Sequence, residues 1–291
     1  MWKHFLKQTK ANFLPYDILN LGFVVFLLGI TIFFYPLLPD ALCLTIVYLF
    51  CLIMIVVCTN KSQVAHYFYP ILLIFLIFQS MGYIIPHIHH SYRDPLLYQF
   101  DILLFGGCPF NYLQKWIRPW LTEILQLGYI SYYFMPVVLG IALFLRKDSR
   151  FPSVIFAILL GFYVSYIGYL LFPAVGPRFY LHFDKSVYEN TYLAGWTAHL
   201  LNILEKNKTD AFPSGHTQIS IMCTYFAHYL GGNWSLIYGI MTALLIVSTV
   251  YCHYHYITDV IAGILLAIIC LTISPGLEKR IGKGLKSHRL L

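Results

Sequence analysis

The sequence predicts an all-α fold: a polytopic membrane bundle of about eight transmembrane helices. Three observations carry this. The 291 residues are 59% hydrophobic and only 11% charged, with mean hydropathy +0.70, whereas soluble domains carry about 25% charged residues. Stretches at roughly 18–36, 41–58, 68–86, 124–145, 151–172, 214–230, 234–252 and 256–274 contain no Lys, Arg or Glu, and about 20 apolar residues cross a hydrocarbon core as a helix. These stretches are apolar all round, whereas barrel strands are shorter and alternate in polarity.

The first stretch follows Lys3, Lys7 and Lys10, as the hydrophobic region of a signal peptide does. It runs from Ile18 to Pro36 without a small-x-small cleavage site, so it reads as a retained span. The third ends near His87, His89 and His90. A long connection, 87–123, leads to the fourth. The short basic loop Arg146–Arg150 leads to the fifth, and a second long connection, 173–213, to the sixth. Gly231-Gly232 makes a tight turn before the seventh, and only 253–255 separates the seventh from the eighth. Eight spans put both termini on one side. Lys61, Arg146, Lys147, Arg150, Lys279, Arg280, Lys283, Lys286 and Arg289 fall there with the three N-terminal lysines. Arg93, Lys115, Arg118, Arg178, Lys185, Lys206 and Lys208 fall on the other. The positive-inside rule therefore puts both termini in the cytoplasm, and 87–123, 173–213 and 253–255 on the outer face.

The net charge of +7 does not imply a nucleic-acid partner, because the bases sit at span ends and termini, where orientation and anionic lipid account for them. Cys43, Cys51, Cys58, Cys223 and Cys270 lie in apolar stretches, where Cys acts as a small hydrophobe. Cys108 and Cys252 lie nearer loops, and no CxxC occurs. Neither a disulfide framework nor a thiolate metal site is indicated.

Three outer-face segments carry chemistry. Asp259 is the one acid inside the apolar stretches, and an ionisable group at membrane depth is costly and points to a site. His255, four residues earlier, shares its helix face. A carboxylate beside an imidazole fixes the tautomer and leaves the other nitrogen free to attack; a buried His–Asp bond that only ties helices together is the alternative. In Phe212-Pro213-Ser214-Gly215-His216-Thr217, Ser214 caps a helix start whose free N–H groups and positive dipole end suit a phosphate. Gly215 permits close approach of an anion, and His216 follows in the first turn. An ordinary capped helix with an interfacial His competes with that reading. In Phe172-Pro173-Ala174-Val175-Gly176-Pro177-Arg178, the guanidinium of Arg178 grips phosphate or snorkels to headgroups. Together the three supply an anion clamp, a capped helix start with His, and a His–Asp pair, the parts that phosphoryl transfer needs.

These motifs resemble the type 2 phosphatidic acid phosphatase superfamily. Its second motif, Pro-Ser-Gly-His, is complete at Pro213–His216. Its third, Ser-Arg, five residues, His, three residues, Asp, reads Ser248-Thr249, His255, Asp259. Of its first motif, Lys, six residues, Arg-Pro, only Arg178 matches. Leu171 stands in place of the Lys, and Thr249 in place of the Arg. The departures look like the branch containing inositol phosphorylceramide synthases, as does the segment Asp94–Pro109 with Asp101 and Phe105-Gly106-Gly107. Lys115, Arg118 and His253 are candidates to restore the missing charge. The resemblance implies a catalytic core in the C-terminal five spans, over 122–275, after an N-terminal membrane region, 1–121, and before a basic cytoplasmic tail, 276–291. It implies His255 as a nucleophile forming phosphohistidine, Asp259 as its orienting group, His216 as the acid and base, and Arg178, Ser214 and Gly215 as the phosphate-binding set. It implies no cofactor and no metal. The substrate is then a membrane lipid phosphate, and the acceptor is water or a lipid alcohol such as ceramide.

Other uses of these residues are weaker. His87, His89 and His90 lack acid or thiol partners at zinc-ligand spacing. A non-catalytic transporter could relay protons through Asp259 and the histidines, but transporters commonly show related halves, and none is visible. A vanadate peroxidase would need the cations missing at Leu171 and Thr249.

Overall fold

The computed structural model describes residues 13–183 and 186–287. Lys3, Lys7, Lys10, Lys185 and Arg289, used above for orientation, lie outside them. The described chain is helical, without a strand; a parallel bridge joins Ala174 to Asp210. Helices α1 (Pro15–Phe33), α2 (Ala41–Lys61) and α3 (Gln63–Ile88) come first. The outer connection folds into α4 (Asp94–Phe105) and α5 (Pro109–Gln114). Helices α6 (Pro119–Leu145) and α7 (Phe151–Leu171) follow. The second connection carries α8 (Pro177–Tyr180) and α9 (Leu193–Leu204). Helices α10 (Gly215–Ala227), α11 (Trp234–Tyr251) and α12 (Ile257–Ser287) complete the order.

Seven of these helices, α1, α2, α3, α6, α7, α11 and α12, are long and apolar enough to cross a membrane. The stretch expected to span over 214–230 is shorter: α10 has 13 residues and tightens into a 3-10 turn, His228–Leu230. It ends there because Gly231 and Gly232 take positive φ, a conformation with little penalty only for glycine. The chain still traverses the bundle at this point. The Ser214 amide at its start bonds Asp259, and the Leu230 carbonyl at its end accepts the Arg146 guanidinium. Nearly all of α10 is buried, enclosed by α6, α7, α11 and α12. Helix α12 runs unbroken through Pro275 to Ser287, so 276–287, expected as a tail, is helix. The start of α1 and the last turns of α12 lie at one end of the bundle, where Gly282 lies beside Pro15.

Proline at the first turn opens α1, α4, α6 and α7, where a missing N–H costs nothing and φ is preset. Near the terminal end of the bundle, buried Asp17 accepts from the Leu14 amide at 2.7 Å and Tyr69 at 2.7 Å, and meets His66 at 2.8 Å. Asn20 extends the network to Tyr69 and Tyr163, tying α1, α3 and α7. One apolar core runs through α1–α3, α6, α7 and α10–α12, so the N-terminal region and the expected catalytic core pack as one body.

Helix α4 organises the opposite end. Asp94 and Asp101, seven residues and two turns apart, share its buried face, and both are fully buried. Asp94 accepts from the amides of Val175 at 3.0 Å and Gly176 at 2.8 Å and from Tyr256 at 3.1 Å. Asp101 accepts from the amides of Ile257 at 3.0 Å and Thr258 at 2.8 Å, and from the Thr258 hydroxyl at 2.6 Å. It therefore caps α12 from a distant part of the chain, a carboxylate on the positive end of a helix. Asp101→Ala leaves these donors buried and unpaired, at about 3 kcal/mol. The expected result is a fall of several degrees in the Tm of the purified protein, with Asp101→Asn intermediate; an unchanged Tm refutes the cap.

Candidate active site

Residues from the 173–178 loop, the start of α10 and the 253–259 segment converge between α4, α6 and α9. Helix α11 ends with Cys252 as cap and His253 at φ 61. A non-glycine residue in this left-handed region is strained by roughly 1 kcal/mol. The turn is held because the Thr249 carbonyl accepts the amides of both Tyr254 and His255 at 2.9 Å, and the His253 carbonyl accepts the Arg178 amide at 2.8 Å. The reversal aims His255 back into the bundle.

His255 is buried. Its Nδ1 lies 2.7 Å from the Ala211 carbonyl, so Nδ1 carries the hydrogen and Nε2 is left with a lone pair. Nε2 faces His216 Nδ1 at 3.3 Å. Asp259 Oδ2 is farther from Nδ1, at 3.5 Å, and accepts the Tyr256 amide at 2.8 Å. The nearest orienting group is thus a backbone carbonyl, with Asp259 behind it. Burial pushes the His255 pKa down to about 4, leaving the ring neutral at pH 7.

His216 is held flat against Tyr129, with ring centroids 4.6 Å apart, and touches Tyr132 at 4.2 Å. Its buried Nε2 has no partner among the described residues. Arg178 lies with its guanidinium 4.6 Å from the ring centre of Tyr254 and 4.6 Å from that of Phe179, and it acts electrostatically on His255, His216 and Asp210.

Ser214 and Gly215 stand at the start of α10. The Ser214 amide donates to the Asp259 carbonyl at 3.1 Å, and its hydroxyl accepts the Thr217 amide at 3.3 Å. A Cβ on Gly215 would sit 2.3 Å from the Tyr169 hydroxyl, so only glycine fits there. Both residues fix the start of α10 against its neighbours.

The candidate replacement cations fare as follows. Arg118 donates to the carbonyls of Lys115 and Ile117, and Lys115 lies over Tyr112. His253 is stacked on Phe183 at 3.9 Å, and burial pushes its pKa down to about 4, so it brings no charge at neutral pH. Leu171 is exposed, and Thr249 serves through its carbonyl. Lys208, not singled out by the sequence, interacts with Arg178, Glu205 and Asp210, and its pKa is lowered by burial and by Arg178. Burial and neighbouring Glu205 raise the Asp210 pKa to about 6. Sequence reasoning missed Lys208, Glu205 and Asp210 because they lie in a connection without motif spacing. Their clustering as Glu205–Asp210, just before Pro-Ser-Gly-His, was the available signal. His87 and His89 bond different backbone carbonyls, Tyr83 and Leu170.

A neutral imidazole with one tied nitrogen and one free, facing a second imidazole beside a guanidinium, can attack phosphorus and transfer a proton. The family model described as PAP2 superfamily matches residues 97–273, a span that reaches back into α4 and includes Asp101. The chain is similar to a PA-phosphatase related-family protein of Dictyostelium discoideum, 30% identical over 172 residues, 52% of this chain and 31% of that relative. The chain therefore matches about a third of the relative's length. No solved structure matches.

Proposed function

Because this chain belongs to the PAP2 superfamily, we propose that it cleaves a lipid phosphate ester through a phosphohistidine at His255. The observation that carries the reading is the tied Nδ1 of His255 with its free Nε2 facing His216. Nε2 attacks phosphorus, the N–P bond forms and the ester P–O bond breaks, and His216, protonated to the imidazolium as the phosphate anion enters beside it, gives that proton to the departing oxygen and is left neutral. In the second half His216 takes a proton from the acceptor, whose oxygen attacks phosphorus and releases Nε2. Arg178, with Lys208 nearby, holds the phosphoryl oxygens. The two rings stand at 3.3 Å, too close to admit a phosphoryl group, so they part as substrate enters.

A second reading, transfer of a headgroup-phosphate from a phospholipid to a lipid alcohol, is favoured by charge. Leu171 and Thr249 remove two cations from the family pattern. A phosphate monoester carries nearly two negative charges at neutral pH, a diester one, so fewer cations suit a diester donor relatively better. The experiment is incubation of purified protein with a panel of lipid phosphates, with and without a labelled lipid alcohol. Acceptor product with little inorganic phosphate supports transfer; rapid phosphate release without acceptor product supports hydrolysis; neither, with any member of the panel, overturns both.

The same reading puts the site on the outer face, with both termini cytoplasmic, on the strength of the charge asymmetry. Asn190 is exposed in the second connection. A single Cys there, in a background without reactive Cys, labels with an impermeant reagent in intact cells. Labelling only after permeabilisation reverses the topology.

A further inference from the structure

Helix α9 belongs to the second connection, expected to lie outside the membrane, yet its hydrogen bonds set it deep against the spans. At its start, the Glu123 carboxylate of α6 accepts the amides of Tyr192 at 2.6 Å and Ala194 at 2.8 Å. Just past its end, Glu205 accepts the Tyr133 hydroxyl, ten residues farther along α6, about 15 Å at the helical rise. On the other flank, the Gln79 side chain of α3 donates to the Leu204 carbonyl at 2.8 Å and accepts the Lys206 amide at 2.9 Å. Gln79 is nine residues short of the α3 end at Ile88, about 13 Å. Helix α7 gives the same level. Tyr132, next to Tyr133, meets Phe162 with ring centroids 6.4 Å apart, nine residues short of the α7 end at Leu171. Helix α9 therefore descends along α6 from the level of the span ends by nearly half of the roughly 30 Å hydrocarbon core of a bilayer.

The two long faces of α9 differ in what they meet. Ala194, Thr197 and Ala198 are buried on the side packed against α6. Leu193, Trp196, Ile203 and Leu204 face away from the protein, with Trp196 62% and Ile203 61% exposed. Their spacing puts them on one stripe of the helix, with exposed His199 and Asn202 to one side. Over the same levels of α6, Ile124, Leu127 and Phe134 are exposed as well. The stripe thus continues the face that α6, long and apolar enough to span, turns outward. The helix ends agree. Free amides and carbonyls at helix ends are left to water at a protein surface, but in hydrocarbon they need protein partners. Glu123 takes two amides at the start of α9, and Gln79 takes its last carbonyl.

We propose that α9 is a re-entrant helix, and that the acyl chains of the leaflet around this end of the bundle cover its stripe of Leu193, Trp196, Ile203 and Leu204. Lipid is then the packing partner of this face. The chain turns back after Leu204 within the membrane, where α3 and α6 supply the polar partners that hydrocarbon cannot. Segment 205–214, which carries Asp210 and leads into Pro-Ser-Gly-His, hangs from a helix held by protein on one side and by lipid on the other. The inference rests on the bonds that fix the depth of α9 and is independent of the phosphoryl-transfer reading of the histidines.

The test uses the full-length protein in lipid nanodiscs, which open both faces to water, so the result does not depend on which terminus faces the cytoplasm. Nitroxide labels are placed on Asn190→Cys, Trp196→Cys and Ile203→Cys, one at a time, with Cys43, Cys58 and Cys108, the native cysteines that are not buried, replaced by alanine. Each label is then exposed to dissolved oxygen, which concentrates in hydrocarbon, and to a water-soluble nickel chelate. The ratio of oxygen to nickel collisions should rise at least tenfold from position 190 to position 203, with position 196 between them. A label at 203 as open to nickel as the one at 190 puts the face in water and overturns the proposal. A label at 203 shielded from both reagents puts protein, such as a second copy of the chain, on the face and also overturns it. A second measurement leaves every cysteine in place. The emission lost in Trp196→Phe should be the part that chain-brominated lipid quenches and aqueous iodide does not; quenching of that part by iodide alone overturns the proposal by itself.

Discussion

Replacing His255 by alanine is expected to lower turnover of a lipid phosphate ester by at least about 10³-fold, the scale of losing a covalent nucleophile. The buried ring contributes one nitrogen tied to the Ala211 carbonyl and one that faces His216. Two further variants separate its partners. His216→Ala should lose most on lipid esters and little on nitrophenyl phosphate, whose leaving group needs no protonation. Asp259→Asn should cost less than His255→Ala, on the order of 10²-fold, because the tautomer is held first by the Ala211 carbonyl at 2.7 Å, with Asp259 at 3.5 Å. In proteases where the carboxylate alone holds the tautomer the loss is about 10⁴-fold. The pH profile gives an independent check. The attacking nitrogen must be unprotonated, and burial has moved the His255 pKa from 6.5 to about 4. The acid limb of kcat/KM therefore falls near pH 4, well below that of free imidazole. Near-normal turnover of a folded His255→Ala protein, trapped phosphate on another residue, or no phosphohistidine on acid-free quenching sinks the mechanism.

What the sequence made legible follows from local spacing. A spacing of four put His255 near Asp259, although His255 stands two residues before α12 in the turn and not on the helix, and Pro-Ser-Gly-His placed His216 at a helix start; these needed no knowledge of the rest of the chain. The spans followed from length and hydropathy alone, except α10. Burial by neighbouring helices lets α10 be shorter than the lipid-facing ones, and nothing in its composition distinguishes a neighbour from lipid. The partners across the fold were not legible. Asp101 was noticed as part of a segment, but its bond to Ile257 and Thr258 spans more than half of the chain. The Ala211 carbonyl that orients His255 is a backbone atom, which no residue type advertises.

Gly263→Ala is expected to cost about 10²-fold in kcat with a small change in stability. Gly263 lies one turn beyond Asp259 on α12, against the first turn of α10. A Cβ there would sit 2.5 Å from the Ser214 carbonyl oxygen and 3.1 Å from Thr217 Cβ. The carbonyl cannot swing away freely, because it accepts the Gln218 amide at 3.0 Å as the first bond of α10. Relief therefore requires the start of α10 to move outward by about 1 Å to reach ordinary contact. That start carries His216, whereas α12 carries Asp259 and follows directly on His255. The methyl group thus separates the two histidines, and a displacement of about 1 Å in reacting groups costs about 10²-fold. Gly239, on α11, is the control: a Cβ there meets nothing within 4 Å, so Gly239→Ala should leave kcat unchanged. The comparison is made on protein eluting as a single species, with Tm measured alongside. A Gly263→Ala protein with wild-type kcat shows that α10 and α12 tolerate the added methyl without shifting His216, and removes the close crossing as a determinant of the site. A tenfold or greater loss in kcat with KM and Tm near wild type is what a displaced acid–base group produces.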